Sequence, residues 1–128
     1  MAQVSLSNNG DTFKSIASNG KVSIATDQPG GEGLAPMELV LSGLAFCKVA
    51  TMRHVAKQKG FDVTNIKADL SSEESEDGAN KHTNVKVEVT FEGDLTEDQK
   101  QTLVKQGDNC HVHQVLSGEI DIQDIELV

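Results

Sequence analysis

A single long helix of small and apolar residues constrains the fold of this chain more than any other sequence feature. Pro36 suits the first helical position, where its missing N–H costs nothing, and Glu38 is favourable in the first turn. Two lysines in the last turn and then Gly60 form a stop signal. The pattern therefore predicts one helix over residues 36–59.

The first half of this helix is apolar on nearly every side. The residues concerned are Leu39, Val40, Leu41, Leu44, Ala45, Phe46, Val49 and Ala50. A helix of this kind is covered all round in a folded protein. The chain has 128 residues, no Trp or Tyr and only four Phe, so its own core is thin. We therefore expect a second copy of the chain to supply part of the cover, as a homodimer.

Charge and composition exclude several classes of partner. The formal net charge is −9, which repels phosphate backbones and anionic membrane surfaces, so we expect no nucleic-acid or membrane partner. The longest nearly uncharged stretch, residues 39–47, is too short for a bilayer, and the polar N-terminus lacks a secretion-signal pattern. We expect a soluble cytoplasmic protein, in which two cysteines rarely form a structural disulfide.

The remaining segments alternate between strand and helix signals. Short alternating segments flank an Asn-Gly turn signal near the N-terminus, and longer ones flank an acidic loop in the middle of the chain. The predicted strands are residues 4–7, 13–18, 21–26, 61–75, 82–93 and a final strand at 119–128. Two further helices are predicted at residues 97–106 and 109–118. This order indicates an α+β fold with one domain over residues 1–128.

The two shorter helices have recognisable starts. Thr96 and Gln99 form a capping box for the first of them. Asn109 is the predicted N-cap of the second, which places Cys110 in its first turn, where the helix dipole favours a thiolate. His113 would then share a helix face with Cys110 and could pair with it.

Cys47, the other cysteine, lies in the apolar stretch SGLAFCKVATM. The thiolate is the reactive form, and an apolar setting raises the pKa of a thiol. Arg53 would face about 120° away on the helix, and His54 would lie about 10 Å along its axis. Activation of Cys47 must therefore come from another segment or subunit.

Three interpretations of the cysteines remain open on the pattern alone. Both could be small buried hydrophobic residues, which is common for free cysteine. They could form a reactive pair. They could also join His111 or His113 in a zinc site, although adjacent residues on a helix do not converge on one ion.

The stretch DQPGGEGLAPMELVLSGLAFCKVATM resembles the signature of the OsmC/Ohr family. That signature has a Gly-rich loop, then Pro-x-Glu-Leu, then a small-and-apolar helix that carries a cysteine. The downstream CHVHQVL resembles the second cysteine segment of the same family. The resemblance covers nearly the whole chain and implies an OsmC-like α+β fold in which two chains interlock as a homodimer, with sites at the subunit boundary.

The resemblance also implies a chemistry. The best-known members reduce organic hydroperoxides in defence against oxidative stress. Carried over, Cys47 would attack the peroxide and become a sulfenic acid, Cys110 would condense with it to a disulfide, and an external dithiol would reduce the pair. Glu38 and His113 are the expected supporting residues, and no cofactor or metal is expected.

This chain departs from the peroxidase members at two places. Those members use an arginine from the N-terminal strands to hold the thiolate, whereas residues 1–35 contain only Lys14 and Lys21 as basic residues. They also carry a glutamate directly after the proline of the helix motif, where this chain has Met37 before Glu38. In addition, His111 stands where many relatives have proline. The chain therefore resembles the less characterised OsmC-like branch.

Two functions follow from the sequence. The first is a thiol redox protein, with Cys47 as nucleophile and Cys110 as resolving thiol, that reduces small apolar peroxides. The alternative is a non-catalytic OsmC-like dimer with inert cysteines, which binds a small apolar ligand at the subunit boundary in a pocket around Met37, Leu41 and Leu44.

Overall fold

The structure is a computed structural model that describes residues 1–78 and 80–128. Five strands and three helices follow one another along this part of the chain. They are β1 (Ser5–Ser7), β2 (Ser15–Ser18), β3 (Ser23–Thr26), α1 (Pro36–Lys59), β4 (Asn65–Asp77), β5 (Asn80–Glu92), α2 (Glu97–Gly107) and α3 (His111–Ser117). The predicted α+β class is confirmed, and α1 has the bounds that its start and stop signals predicted.

The chain divides into two compact units, Met1–Ser42 and Gly43–Val128. In the first unit β1, β2 and β3 form an antiparallel sheet in that order. The Asn-Gly turn connects β2 to β3, and the N–H of Asn19 donates to the carbonyl of Val22 at 3.2 Å. The three predicted N-terminal strands are therefore confirmed.

The Gly-rich loop after β3 folds back on that strand instead of leading away from it. The N–H of Asp27 donates to the carbonyl of Leu34 at 3.1 Å, and the N–H of Leu34 donates to the carbonyl of Ala25 at 3.3 Å. A Cβ at Gly33 would lie 2.6 Å from the Ala25 oxygen, so only glycine fits at this approach. The close contact of loop and strand explains why this segment is rich in glycine.

The second unit has its hydrophobic core between α1, α2 and the β4–β5 hairpin. The buried residues are Met52, Val55, Ala56, Val63 and Leu103, with Val49, Phe61, Ile66, Val89, Phe91 and Leu95 packed around them. The hairpin pairs from Asn65↔Glu92 at its base to Asp77↔Asn80 at its tip. Alternation along both strands turns one face of the hairpin towards this core.

The acidic stretch SEESEDGAN at residues 72–80, which the sequence predicted as a loop, is strand as far as Asp77 and again from Asn80, and its residue 79 lies outside the described residues. Glu73 and Glu74 pair with Asn84 and Thr83 across the ladder, and Lys81 lies opposite Glu76. These side chains are exposed, so strand pairing does not bury their charge. The turn predicted from the acidic composition was therefore in the wrong position. A solvated two-stranded ribbon accommodates charged residues as readily as a loop does.

The predicted C-terminal strand is wrong for the single chain. Residues 119–128 lie outside helices and strands. Their apolar residues are largely exposed, and Ile125 is 100% exposed. The alternation in EIDIQDIELV is that of a half-buried strand, but the described strands of the same chain form no ladder with it. A strand needs a hydrogen-bonding neighbour, so the pattern alone does not produce one.

Two helix starts were tested by the structure. Thr96 caps α2 with the predicted capping box, because its hydroxyl accepts from the N–H of Gln99 and its own N–H donates to the Gln99 side chain. The N-cap of α3 is Cys110, not Asn109 as predicted. The side-chain oxygen of Asn109 instead accepts from the amide of Gln114.

Candidate functional site

The candidate site is built where the start of α3 meets the middle of α1. Cys47 lies on α1 and is half-buried. Its Sγ accepts a hydrogen bond from the backbone N–H of Val112 in the first turn of α3, with an N···S distance of 3.4 Å. The first-turn N–H groups of a helix have no partner within the helix, so they are free to bind such a sulfur. The hydrogen bond to the Cys47 sulfur thus comes from another segment of the chain, as the sequence indicated.

Cys110 is the N-cap of α3 and is only 1% exposed. Its Sγ accepts from the backbone N–H of His113 at 3.4 Å, the contact that a serine oxygen makes in an ordinary cap. Its thiol also lies near the Cys47 thiol and helps to lower the pKa of Cys47. The structure therefore brings the two sulfurs together as free thiols.

The surroundings of Cys47 favour its thiolate. The N–H of Val112 is the largest cause that lowers the pKa of Cys47 below its ordinary value. Burial opposes this, whereas the Cys110 thiol, the N–H of His111 and the positive charge of Lys48 add to the lowering. Donors aimed at a sulfur stabilise its charged form, which is the nucleophile.

Lys48 is a member of the site that the sequence analysis missed. It is 4% exposed, and its Nζ lies 3.1 Å from the carbonyl oxygen of Gly107, 3.2 Å from that of Asp108 and 3.0 Å from Nδ1 of His113. The signal that could have revealed it is simple. Lys48 is the only charged residue between Glu38 and Arg53, and it directly follows Cys47.

His113 does not use its ring in the way that helical spacing predicted. The imidazole faces the ammonium of Lys48, and only the backbone N–H of His113 contacts Cys110. Since the ammonium has only donors, Nδ1 accepts and the proton of the neutral ring is on Nε2. The predicted imidazole–thiol pair is therefore wrong, because α3 begins one residue later than expected and Cys110 is its cap.

The other predicted site residues lie in varied settings. Glu38 accepts a hydrogen bond from the N–H of Ala35 at 2.7 Å, which caps the start of α1. Met37 is exposed, Leu41 is half-buried and Leu44 is buried. Lys14 forms an exposed ion pair with Glu32 at 3.2 Å. The roles of Glu38 as a supporting residue and of the three apolar residues as a pocket remain predictions.

An apolar groove of about 410 Å³ lies in the first unit. Its apolar wall consists of Leu6, Phe13, Pro29, Leu34, Pro36 and Leu39. Its volume falls in the range of small-molecule sites. It does not include Met37 or Leu41, so it is a different feature from the predicted pocket.

Neither a metal cluster nor a second thiol pair is present in the part of the chain that the structure describes. Over residues 1–78 and 80–128, no group of three or more His, Cys, Asp or Glu side chains could hold a metal ion. The zinc interpretation of Cys47, Cys110 and the neighbouring histidines is therefore without support.

Although its uncharged stretch at residues 39–47 is short, helix α1 as a whole is long and apolar enough, by length and composition alone, to cross a membrane. Only 22% of its most apolar window is buried within the single chain, and Phe46 is 73% exposed. The core helices of soluble proteins pass the same test. The exposed apolar surface of α1 nevertheless indicates an interaction site.

Removal of single backbone N–H donors tests directly what lowers the pKa of the Cys47 thiol. Val112→Pro removes the principal N–H, and proline is tolerated in the first turn of a helix. In a Cys110→Ser background, we expect the midpoint of the pH–rate curve for alkylation by iodoacetamide to rise by about one unit. His111→Pro is the matched control, and its rise should be smaller because the His111 N–H contributes less. Equal midpoints in all three proteins would contradict this account of the pKa.

Comparisons with known proteins agree on one family. A family model described as OsmC-like protein matches residues 29–123. The solved structure of an OsmC-like protein from Mycoplasma pneumoniae aligns with a TM-score of 0.79 at 19% identity, over 92% of this chain and 88% of that one. The organic hydroperoxide resistance protein OhrB of Bacillus subtilis aligns at 0.66 and 23% identity, over 94% and 93%. No curated protein matches this sequence.

A third solved structure is that of an organic hydroperoxide resistance protein OsmC from Legionella pneumophila, described as a predicted redox protein and regulator of sulfide bond formation. It aligns with a TM-score of 0.67 at 16% identity, over 93% of this chain and 92% of that one. At these identities the solved structures show a common fold. Because the family model covers residues 29–123, the chain belongs to the OsmC-like family, and the resemblance predicted from its motifs is confirmed.

Proposed function

We propose that this protein reduces small apolar organic hydroperoxides with Cys47 as nucleophile and Cys110 as resolving thiol. The observation that carries the proposal is the hydrogen bond from the Val112 N–H to the Cys47 sulfur, with the Cys110 thiol close by. That hydrogen bond favours the thiolate that must attack. The proximity of the Cys110 thiol supports its proposed role in resolving the oxidised intermediate.

The reaction balances as two successive displacements. The Cys47 thiolate attacks the terminal oxygen of the hydroperoxide, the O–O bond breaks, and the alkoxide takes a proton from water and leaves as the alcohol. Cys47 is then a sulfenic acid. The Cys110 sulfur attacks the Cys47 sulfur, water leaves and a disulfide forms. An external dithiol restores both thiols by exchange and becomes a disulfide itself.

Thiol counting tests this proposal. The purified protein is treated with one equivalent of tert-butyl hydroperoxide, and its free thiols are counted before and after addition of dithiothreitol. We expect two thiols per chain to be lost and both to be recovered. No loss over many minutes, in a protein that retains its helical circular dichroism, would contradict the proposal.

A second function is supported by the apolar groove of the first unit. Its size and apolar wall suit a small apolar ligand, and the chain has no arginine in residues 1–35 to hold a thiolate as the peroxidase members do. In this alternative the protein binds such a ligand and its thiols are inert. The same thiol count separates the two functions, because ligand binding consumes no thiol.

We further propose that the whole chain is one OsmC-like domain that works as a cytoplasmic homodimer. The family match runs through the boundary between the two units, which supports a single domain. The exposed apolar side of α1 supports a second copy as its cover. A reducing cytosol would keep both thiols available between cycles.

Gly43 tests the homodimer. A Cβ at this position would meet nothing within 4 Å in the single chain, so an isolated chain tolerates a larger side chain there. If a second copy packs against this side of α1, Gly43→Leu should convert the dimer to a monomer in sedimentation experiments while helical circular dichroism persists. Gln101→Leu, an exposed position on α2, is the control and should stay dimeric. A wild-type monomer would contradict the proposal.

A further inference from the structure

The ammonium of Lys48 is a buried charge whose partners are all neutral. Its three acceptors are two backbone carbonyls and an imidazole nitrogen. Within residues 1–78 and 80–128, every ion pair involves other lysines, and none includes Lys48. Buried charges are normally paired with an opposite charge. The carbonyls at the end of α2 favour a cation but carry no net charge.

The group near Lys48 that can become negative is Cys47. Lys48 and Cys47 are neighbours on α1 and both contact the start of α3, Lys48 through the His113 ring and Cys47 through the Val112 N–H, and the positive charge of Lys48 lowers the pKa of the Cys47 thiol. The carboxylate-bearing residue closest in the network is Asp108, which contributes only its backbone oxygen and is itself exposed. Lys48 therefore lacks a counter-charge as long as Cys47 is protonated.

Lys48 also holds the turn that presents both sulfurs. Its partners Gly107 and Asp108 precede Cys110, and His113 follows it. One ammonium thus ties both sides of the α2–α3 turn to α1. An ammonium has three N–H groups, and all three are engaged, so Lys48 has no donor left for a substrate. It acts on the reaction through Cys47 and through the position of α3.

We propose that Lys48 is the counter-charge of the Cys47 thiolate and the residue that positions the α2–α3 turn against it. The proposal deepens the proposed redox function and rests on it for its catalytic consequence. Two other cations, Arg53 and Lys14, contact groups elsewhere. Arg53 donates to the carbonyl of Val63, and Lys14 pairs with Glu32.

A consequence follows for the redox balance of the thiol pair. Oxidation to the disulfide removes two electrons, the proton of Cys110 and the negative charge of Cys47. Lys48 then loses its counter-charge, so the oxidised form is disfavoured relative to the reduced one. When the reduced form of a thiol pair is stabilised, its disulfide is a stronger oxidant. Lys48 therefore makes the disulfide easier for an external dithiol to reduce.

Substitution of Lys48 tests this directly. Lys48→Gln removes the charge but keeps an N–H₂ group for the carbonyls, and Lys48→Arg keeps the charge. In Lys48→Gln we expect the alkylation midpoint of Cys47 to rise by about half a pH unit, less than in Val112→Pro, because the Lys48 charge contributes less than the Val112 N–H. We also expect the equilibrium with glutathione and glutathione disulfide to shift about threefold towards the protein disulfide, or about 15 mV. Lys48→Arg should restore both towards wild type. A merely structural role would move neither midpoint nor equilibrium in a folded variant, and that result would overturn the proposal.

A measurement on the unsubstituted lysine keeps the proposal testable if Lys48→Gln does not fold. The ¹³Cε resonance of Lys48 should shift with pH in a step that coincides with the alkylation midpoint of Cys47. This step should vanish in Cys47→Ser, which keeps His113, the other titratable group that faces Lys48. A step that persists in Cys47→Ser at the pH of the wild-type alkylation midpoint would overturn the proposal. These readouts require no peroxide, so a protein that is inert towards hydroperoxide yet shows the Cys47-linked step would refute the proposed function alone.

Discussion

Cys47→Ser is expected to abolish the loss of thiols on treatment with an organic hydroperoxide. The alcohol of serine is not ionised near neutral pH, so the Val112 N–H and the Lys48 charge have no thiolate to stabilise. Free thiols should be counted after one equivalent of tert-butyl hydroperoxide over a time in which the wild type loses both. The remaining Cys110 should stay reduced, because it is buried.

Cys110→Ser is the matched variant and should behave differently. Serine is a good N-cap, so α3 should form as in the wild type. Cys47 should still react, but without a resolving thiol it should stop at the sulfenic acid, which a dimedone-type reagent traps and mass spectrometry locates. If Cys110 proves to be the only reactive thiol, the assigned roles are reversed. If neither variant differs from the wild type, the thiols have no part in peroxide chemistry.

Leu103→Ala is expected to produce the largest loss of stability among core substitutions. Leu103 is 0% exposed and packs in the cluster with Met52, Val55, Ala56 and Val63. Removal of its branched side chain leaves a cavity between α1 and α2 that these neighbours can fill only in part. Truncations of this kind cost about 2–5 kcal/mol in the free energy of unfolding. Urea titration at a fixed protein concentration measures the effect.

The control for this prediction is Leu116→Ala. Leu116 is exposed on α3, and a surface truncation should change the free energy of unfolding by about 0.5 kcal/mol or less. Equal losses at Leu103 and Leu116 would contradict the position of the core. A loss at Leu103 below about 1 kcal/mol would indicate that the core relaxes into the cavity or that packing there is loose.

The local signals of this sequence were strong enough to predict most of the elements. Pro36 and Gly60 delimit α1, the Thr96–Gln99 capping box starts α2, and the Asn-Gly turn joins β2 to β3. Each signal concerns residues within a few positions of one another. Turn and cap chemistry acts over that range, so it can be interpreted without knowledge of the rest of the fold.

Three expectations failed for a common reason. Local pattern alone predicted the strand at residues 119–128, the acidic loop at residues 72–80 and the Asn109 cap of α3. A strand depends on its neighbour, a turn on the register of its ladder and a cap on the competing partner of each side chain. The Cys110 sulfur is the capping acceptor of α3, since it accepts the hydrogen bond from the N–H of His113.

The sequence by itself determined that a long apolar helix carries one cysteine, that a second cysteine opens a later helix, and that this arrangement belongs to an OsmC-like chain. Only the tertiary structure decided that the Val112 N–H contacts Cys47 and that a buried Lys48 connects α1 to His113, 65 residues downstream. The physical reason is distance along the chain. Hydrogen bonds and charges act between groups that folding brings together, and residue spacing does not reveal which groups those are.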